Sequence, residues 1–498
     1  MIRELNIKNF RGLEDIEKIE CDTFNIFIGD NGTSKTTILE AINHAFSPSF
    51  LSGRIKHTDF INGTDEPIEI YLQFSTSIEA ELPDGYITQK INCDKLYLRI
   101  KKRDKKKAGK VFSDAVTLEH ILVPDFPREK RKDGWKIKRK NGSDFTFTTR
   151  SLGINQISTS ELPRSFLFGK DRDRQLQKGF NSSFSTIIDD LNWRFSRTIR
   201  KETEEGQKHD WFIDTKAISD DAQSKVDMNK NEVFKELKKR TDRFGLDEVN
   251  LSIIDSLAPF DSSFLSASKQ LLDLPIKNLG SGIEMIVSLL FLETLASLSK
   301  EKLLILIDEP ELHLHPKLQV RLAEYLWDLS KGDNGHQVFV TTHSPIFYKN
   351  SIGRDGVKTF ITKKENSEIT VSEMSLSSGL FPWSPSWGEI NFFAYDYLTI
   401  EFHDELYGYI QEKAKCYYEK DIDDYLENQG SVKNKSWTKE INGVKGITYD
   451  CTLPVFIRNK IHHPENGTMQ GEDFTADELA ESTEQMIEIV KALNKTNE

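Results

Sequence analysis

The stretch FIGDNGTSKTTILEAI, residues 27–42, constrains the chain more than any other. It follows a β-rich apolar run, TFNIFIG, and opens TTILEAINHAF, whose apolar residues recur at helical spacing. A loop between a strand and a helix is the setting a phosphate-binding loop requires, and the pattern sought is G-x-x-x-x-G-K-[ST]. Gly29, Lys35 and Thr36 stand where that pattern demands, while Ser34 replaces the second glycine. In such a loop the backbone N–H groups cradle phosphates, the lysine reaches the β and γ oxygens, and the hydroxyl ligates Mg²⁺. Lys35 and Thr36 take those roles, Asn31, Gly32, Ser34 and Thr37 complete the nucleotide-binding set, and ATP and Mg²⁺ are the expected cofactors. A serine is small and donates a hydrogen bond, so the change reads as tolerated, with slow turnover as its expected consequence.

The rest of the chain supplies partners for this loop. KLLILIDEPELHLHP reads as an apolar strand ending in Asp308, which would hold the metal through water. Glu309 follows, placed to orient and deprotonate the attacking water. About 30 residues on, VFVTTHSP ends another strand with His343, positioned to sense the γ-phosphate. Between the phosphate loop and the strand that ends in Asp308, NLGSGIEMIVSLLF opens a long helix.

Taken in order, IKNFRGL, the phosphate loop, LGSG, DEPELHLHP and TTHSP resemble the RecF/SMC-like ABC ATPases. They look closest to the branch that holds OLD-family proteins and the ATPase subunits of anti-phage systems such as Septu and PARIS. The resemblance covers roughly residues 1–120 and 250–375 and implies an α/β fold, an ABC-type ATPase head of mixed sheet and helices. It implies that Arg11 approaches the nucleotide. It also implies that Gly280, Ser281 and Gly282 act as the signature that meets the γ-phosphate of a neighbouring subunit, although the serine stands one place later than in the common Leu-Ser-Gly-Gly form. Because that signature works in trans, a homodimer or higher homo-oligomer joined through the heads is expected.

Four segments follow: a first half-head at 1–120, an insertion at 121–249, a second half-head at 250–375 and a mostly helical domain at 376–498. The insertion is expected to carry a compact helical arm at about 175–245. Residues 101–140 hold 15 Lys/Arg against 6 Asp/Glu in a chain of net charge −12. A basic hairpin there, with Trp135 at its tip, could track DNA or RNA, and a solvated charge run is the equal alternative. No apolar run is expected to reach the roughly 18 residues of a membrane helix. The N-terminus lacks a signal-peptide core, so no membrane contact and a cytoplasmic location are expected. Cys21, Cys93, Cys416 and Cys451 are too scattered for a metal site.

The C-terminal domain offers two motifs. Asp421-Ile422-Asp423 is the only candidate for the D-x-D of a Toprim nuclease, but it follows a polar stretch instead of an apolar strand. LPVFIRNKIHHPENG, residues 453–467, resembles the R-N-x-x-x-H motif of HEPN ribonucleases, which would give Arg458, Asn459 and His463 an RNA phosphate to act on. The same segment also fits a docking or packing helix that Pro464 ends. Three functions remain: an ATP-hydrolysing defence subunit that controls a separate effector nuclease, an ATP-gated ribonuclease, or a RecF-like DNA-repair ATPase.

Overall fold

The computed structural model describes residues 1–46, 55–87, 90–103, 105–107, 110–112, 116–130, 134–148, 161–169, 185, 187–189, 191–192, 231–245, 248–252, 264–269, 272–276, 280–332, 335–351, 353–365, 368–374, 379–441 and 443–495. Two compact units form: Met1–Phe27 with Asn31–Glu373, and Met374–Glu498 with Ile28–Asp30.

Two large sheets build the first unit, alongside smaller strand pairings. One is antiparallel, with strands in the order Leu13–Glu20, Ile2–Phe10, Ile68–Glu81, Lys90–Lys102 and Val116–Pro124. Its central strand Ile68–Glu81 alternates buried and less buried residues over its first half, as a strand with one solvated face does. The second sheet runs in the order Arg164–Phe168, Leu303–Asp308, Gln337–Thr342, Phe24–Gly29, Val357–Glu365 and Glu368–Glu373. Leu303–Asp308, Gln337–Thr342 and Phe24–Gly29 are buried along their whole length, which explains their unbroken apolar runs. The helix Lys35–Phe46 buries Ile38, Leu39, Ile42 and Ala45 in one core with Ile7 and Ile70 of the first sheet and Leu304 and Phe339 of the second. Each isoleucine, leucine and phenylalanine buried there contributes roughly 1.5–3 kcal/mol. That packing fixes the phosphate loop at the tip of Phe24–Gly29.

Two expectations are corrected here. Ser281–Leu298 does meet the length and apolarity of a membrane span, with mean hydropathy 1.6, but 72% of it is buried within the protein, as befits a core helix that is apolar all round. Trp135 is not at a hairpin tip: it opens the strand Trp135–Lys138, is 1% exposed, stacks on Phe147 and donates its indole N–H to the Phe126 carbonyl. Strands Lys105–Lys107 and Lys110–Phe112 do pair in the basic stretch. Most of the expected arm at 175–245 lies outside the described residues; its end is the helix Glu232–Thr241, whose Arg240 pairs with Glu293 of Ser281–Ser299.

The second unit has helices Trp387–Tyr395, Ile400–Lys413, Glu419–Asn428, Leu453–His462 and Ala476–Lys495 around Phe402, Leu406, Phe456 and Met486. A hairpin, Lys435–Ile441 with Val444–Cys451, interrupts them. Four of the last strand's first five residues carry side chains and all five positions are exposed, so no buried alternation marked it in the sequence.

Candidate nucleotide site

Every residue of the phosphate loop from Asn31 to Thr37 belongs to the first unit. Asn31 and Gly32 are exposed, whereas Lys35 and Thr37 are buried. Gly32 has φ +77° and Ser34 φ +58°, the left-handed region that favours glycine. The Thr33 hydroxyl lies 2.7 Å from that of Thr362, tying the loop to Val357–Glu365.

At the loop's far side Thr36 donates to both carboxylate oxygens of Asp308, at 2.8 and 3.0 Å. Asp308 Oδ1 also accepts from the Thr341 hydroxyl at 2.6 Å. That same hydroxyl and the Thr341 carbonyl accept the Glu309 N–H, at 3.2 and 3.0 Å. Glu309 sits at φ +49° and brings its carboxylate 3.4 Å from His343 Nε2. The parallel register of Leu303–Asp308 with Gln337–Thr342, which sets Asp308 beside Thr341, creates this juxtaposition. A hydroxyl and a carboxylate converging as hard oxygen donors suit Mg²⁺.

His343 is held from below. Its N–H donates to Glu311 Oε1 at 2.6 Å, and burial raises the Glu311 carboxyl above its ordinary range. The next residue, Ser344, donates to Gln319, which in turn donates to the Leu314 carbonyl. Thr341 and Glu311 were both inside recognised motifs, TTHSP and DEPEL, yet nothing in their spacing marked them as supports.

Arg11, at φ +52°, donates from its backbone and from Nε to Asp59, at 2.7 and 2.8 Å, and pairs with Glu40 of the phosphate-loop helix. Beside it, His57, Phe60, Asn62 and Lys102 line an open hollow. The signature residues open the helix Ser281–Ser299: Gly280 is exposed at φ +101°, Ser281 is the first helical residue, and Leu279 lies outside the described residues. Gly282 is buried, and a Cβ there would meet Leu314 Cδ2 at 2.7 Å and the His313 carbonyl at 3.0 Å. The signature therefore rests directly on the segment that follows Glu309.

In the second unit, Asp421-Ile422-Asp423 lies inside the helix Glu419–Asn428, not at a strand end. Arg458 lies over the Tyr407 ring and donates to Asn459, which is fully buried. His463 just follows the helix Leu453–His462, pairs with Glu465 and lines a hollow with Glu419, Lys439 and Glu440. No contact joins Arg458 to His463 among the described residues. It is His462, four residues after Arg458, that reaches Asp404 at 3.0 Å.

The α/β fold, with a phosphate loop between a buried strand and a helix, defines a P-loop ATPase domain. Residues 1–348 match the AAA ATPase domain family, and the chain belongs to it. It is 27% identical over 383 residues to an OLD nuclease of Thermus scotoductus, covering 75% of this chain but only 64% of that protein. Among solved structures it is similar to an Smc head bound to the C-winged helix domain of ScpA, at 14% identity and TM-score 0.40, covering 75% of this chain and 98% of that one. It is similar also to the SMC head domain of Thermotoga maritima, at 13% identity and TM-score 0.36, covering 75% and 99%.

Proposed function

We propose that this chain is the ATP-hydrolysing regulatory subunit of a bacterial anti-phage defence assembly, dimerising through its heads and controlling a separate effector nuclease. The observation that carries the reading is the Asp308 carboxylate, bonded to Thr36 of the phosphate loop and flanked by Glu309 and His343. Relatedness to an OLD nuclease supports the nuclease connection. The helical setting of Asp421 and Asp423 supports placing that nuclease on another chain. Exposed Tyr417, Tyr418, Val432 and Ile447 give the C-terminal unit apolar surface for such a partner.

In hydrolysis Lys35 neutralises the β and γ phosphates. Thr36 would hold Mg²⁺ directly and Asp308 through water; the ion, when bound, withdraws charge from the phosphate oxygens. Glu309 takes a proton from water as the water oxygen bonds to the γ-phosphorus. The bond to the β,γ-bridging oxygen breaks, ADP and phosphate leave, and His343 contacts the γ-phosphate. Gly280 and Ser281 of a second copy complete the site across the dimer.

The test combines two variants. Lys35→Ala removes the cation aimed at the phosphates and abolishes ATP binding in calorimetry; tight binding by it refutes the site. Glu309→Gln binds ATP without turnover and shifts the mass to that of a dimer in ATP. The regulatory role fails if the nuclease activity of the purified assembly is indifferent to Lys35→Ala.

A further inference from the structure

Ser34 stands where the phosphate-loop pattern has glycine, and it keeps the glycine-like backbone, φ +58°. Its carbonyl accepts the Ile38 N–H, so its backbone is already committed to the first turn of the loop's helix. The space for its side chain has to come from a neighbour. That neighbour is Gly12, in the Arg11-Gly12 turn that joins Ile2–Phe10 to Leu13–Glu20. A Cβ on Gly12 would lie 2.5 Å from Ser34 Oγ, well inside contact distance, though 3.8 Å from Ser34 Cβ; it would also lie 3.0 Å from Ile369 Cδ1.

We propose that Gly12 is a positioning residue for nucleotide binding: the missing side chain at 12 is the notch that receives the Ser34 hydroxyl, so the two positions work as a pair. Gly12 has no side chain of its own to offer a ligand and acts through Ser34. The turn cannot withdraw to make room. Phe10 and Leu13 are cross-strand partners on either side of it, and Arg11 is fixed to Asp59 by its backbone N–H and by its guanidinium. Ile369, by contrast, meets the notch with the end of a flexible side chain and can give way. A methyl at 12 therefore pushes on Ser34, and Ser34 directly precedes Lys35.

The inference rests on the ATP-binding reading, and a double-mutant cycle on the full chain separates the two. ATP affinity and thermal midpoint are measured for the wild type, Gly12→Ala, Ser34→Gly and the double variant. Gly12→Ala is expected to weaken ATP binding about tenfold in the Ser34 chain and by less than about twofold when introduced into Ser34→Gly. KM rises accordingly while kcat at saturating ATP is kept, a split that general unfolding does not give. Equal cost in both backgrounds, or no cost in either, overturns the proposal. Should Gly12→Ala alone fail to fold, Ser34→Ala keeps the test open: it removes only Oγ, so adding Gly12→Ala to it must restore a folded, ATP-binding chain, and failure to do so overturns the pairing. Should the wild type bind no ATP, the functional reading falls, but coupled thermal midpoints would still support the notch and additive ones refute it.

Discussion

Replacing Glu311 by alanine isolates the support beneath His343. Glu311 Oε1 accepts the His343 N–H at 2.6 Å. A hydrogen bond to a carboxylate contributes roughly 1.5–3 kcal/mol, and alanine leaves the strand-end N–H without that acceptor. If the lost energy appears as misplacement of His343 in the transition state, kcat falls about 10- to 150-fold. KM changes less, because Lys35 and Thr36 of the phosphate loop are left untouched. Glu311→Gln retains an oxygen acceptor and restores most of the rate, whereas Glu309→Gln, two residues earlier, does not. Steady-state phosphate release for the three variants is the assay. A Glu311→Ala enzyme at the wild-type rate, or a glutamine variant as slow as the alanine one, would refute the reasoning.

Two further outcomes follow from packing and burial. Gly282→Ala drives a methyl against the His313 carbonyl and Leu314, and it should lower stability by about 1–3 kcal/mol in urea unfolding; an unchanged midpoint refutes the close approach. Burial lowers His120 and His336 to about 4 and His403 to about 3. The unfolded chain, titrating near 6.5, then takes up protons that the folded chain refuses, so stability is full above 6.5 and is lost as pH falls from there toward 4. A thermal midpoint that stays level across that interval in a buffer series would contradict it.

What could be read in advance follows from where the physics is local. The strands Phe24–Gly29, Leu303–Asp308 and Gln337–Thr342 are buried throughout, so their apolar runs announced them and the motifs at their ends. Strand Val444–Cys451 exposes Val444 and Ile447, and no periodicity betrays a strand whose first five positions all face solvent. Trp135 was misjudged because a tryptophan amid lysines reads as a stacking platform, while its burial depends on Phe147 and Phe126, which only strand pairing brings near. Likewise Thr341, Glu311 and Gly12 stood inside quoted motifs, but their partners are 33, 32 and 22 residues away. Such a contact is a product of topology, and sequence spacing carries no trace of it.

The burial of Ser281–Ser299 on nearly every side has a consequence for how two heads would meet. An exposed helix could tilt or fray to suit an incoming nucleotide, but this one is locked into the body of its head, with Gly282 wedged on His313 and Leu314. Its leading end is thus preorganised: little entropy remains to be lost when a second head closes on it. In the proposed dimer, closure would then be a rigid-body event, and among the described residues of the proposed signature Gly280 is the exposed one.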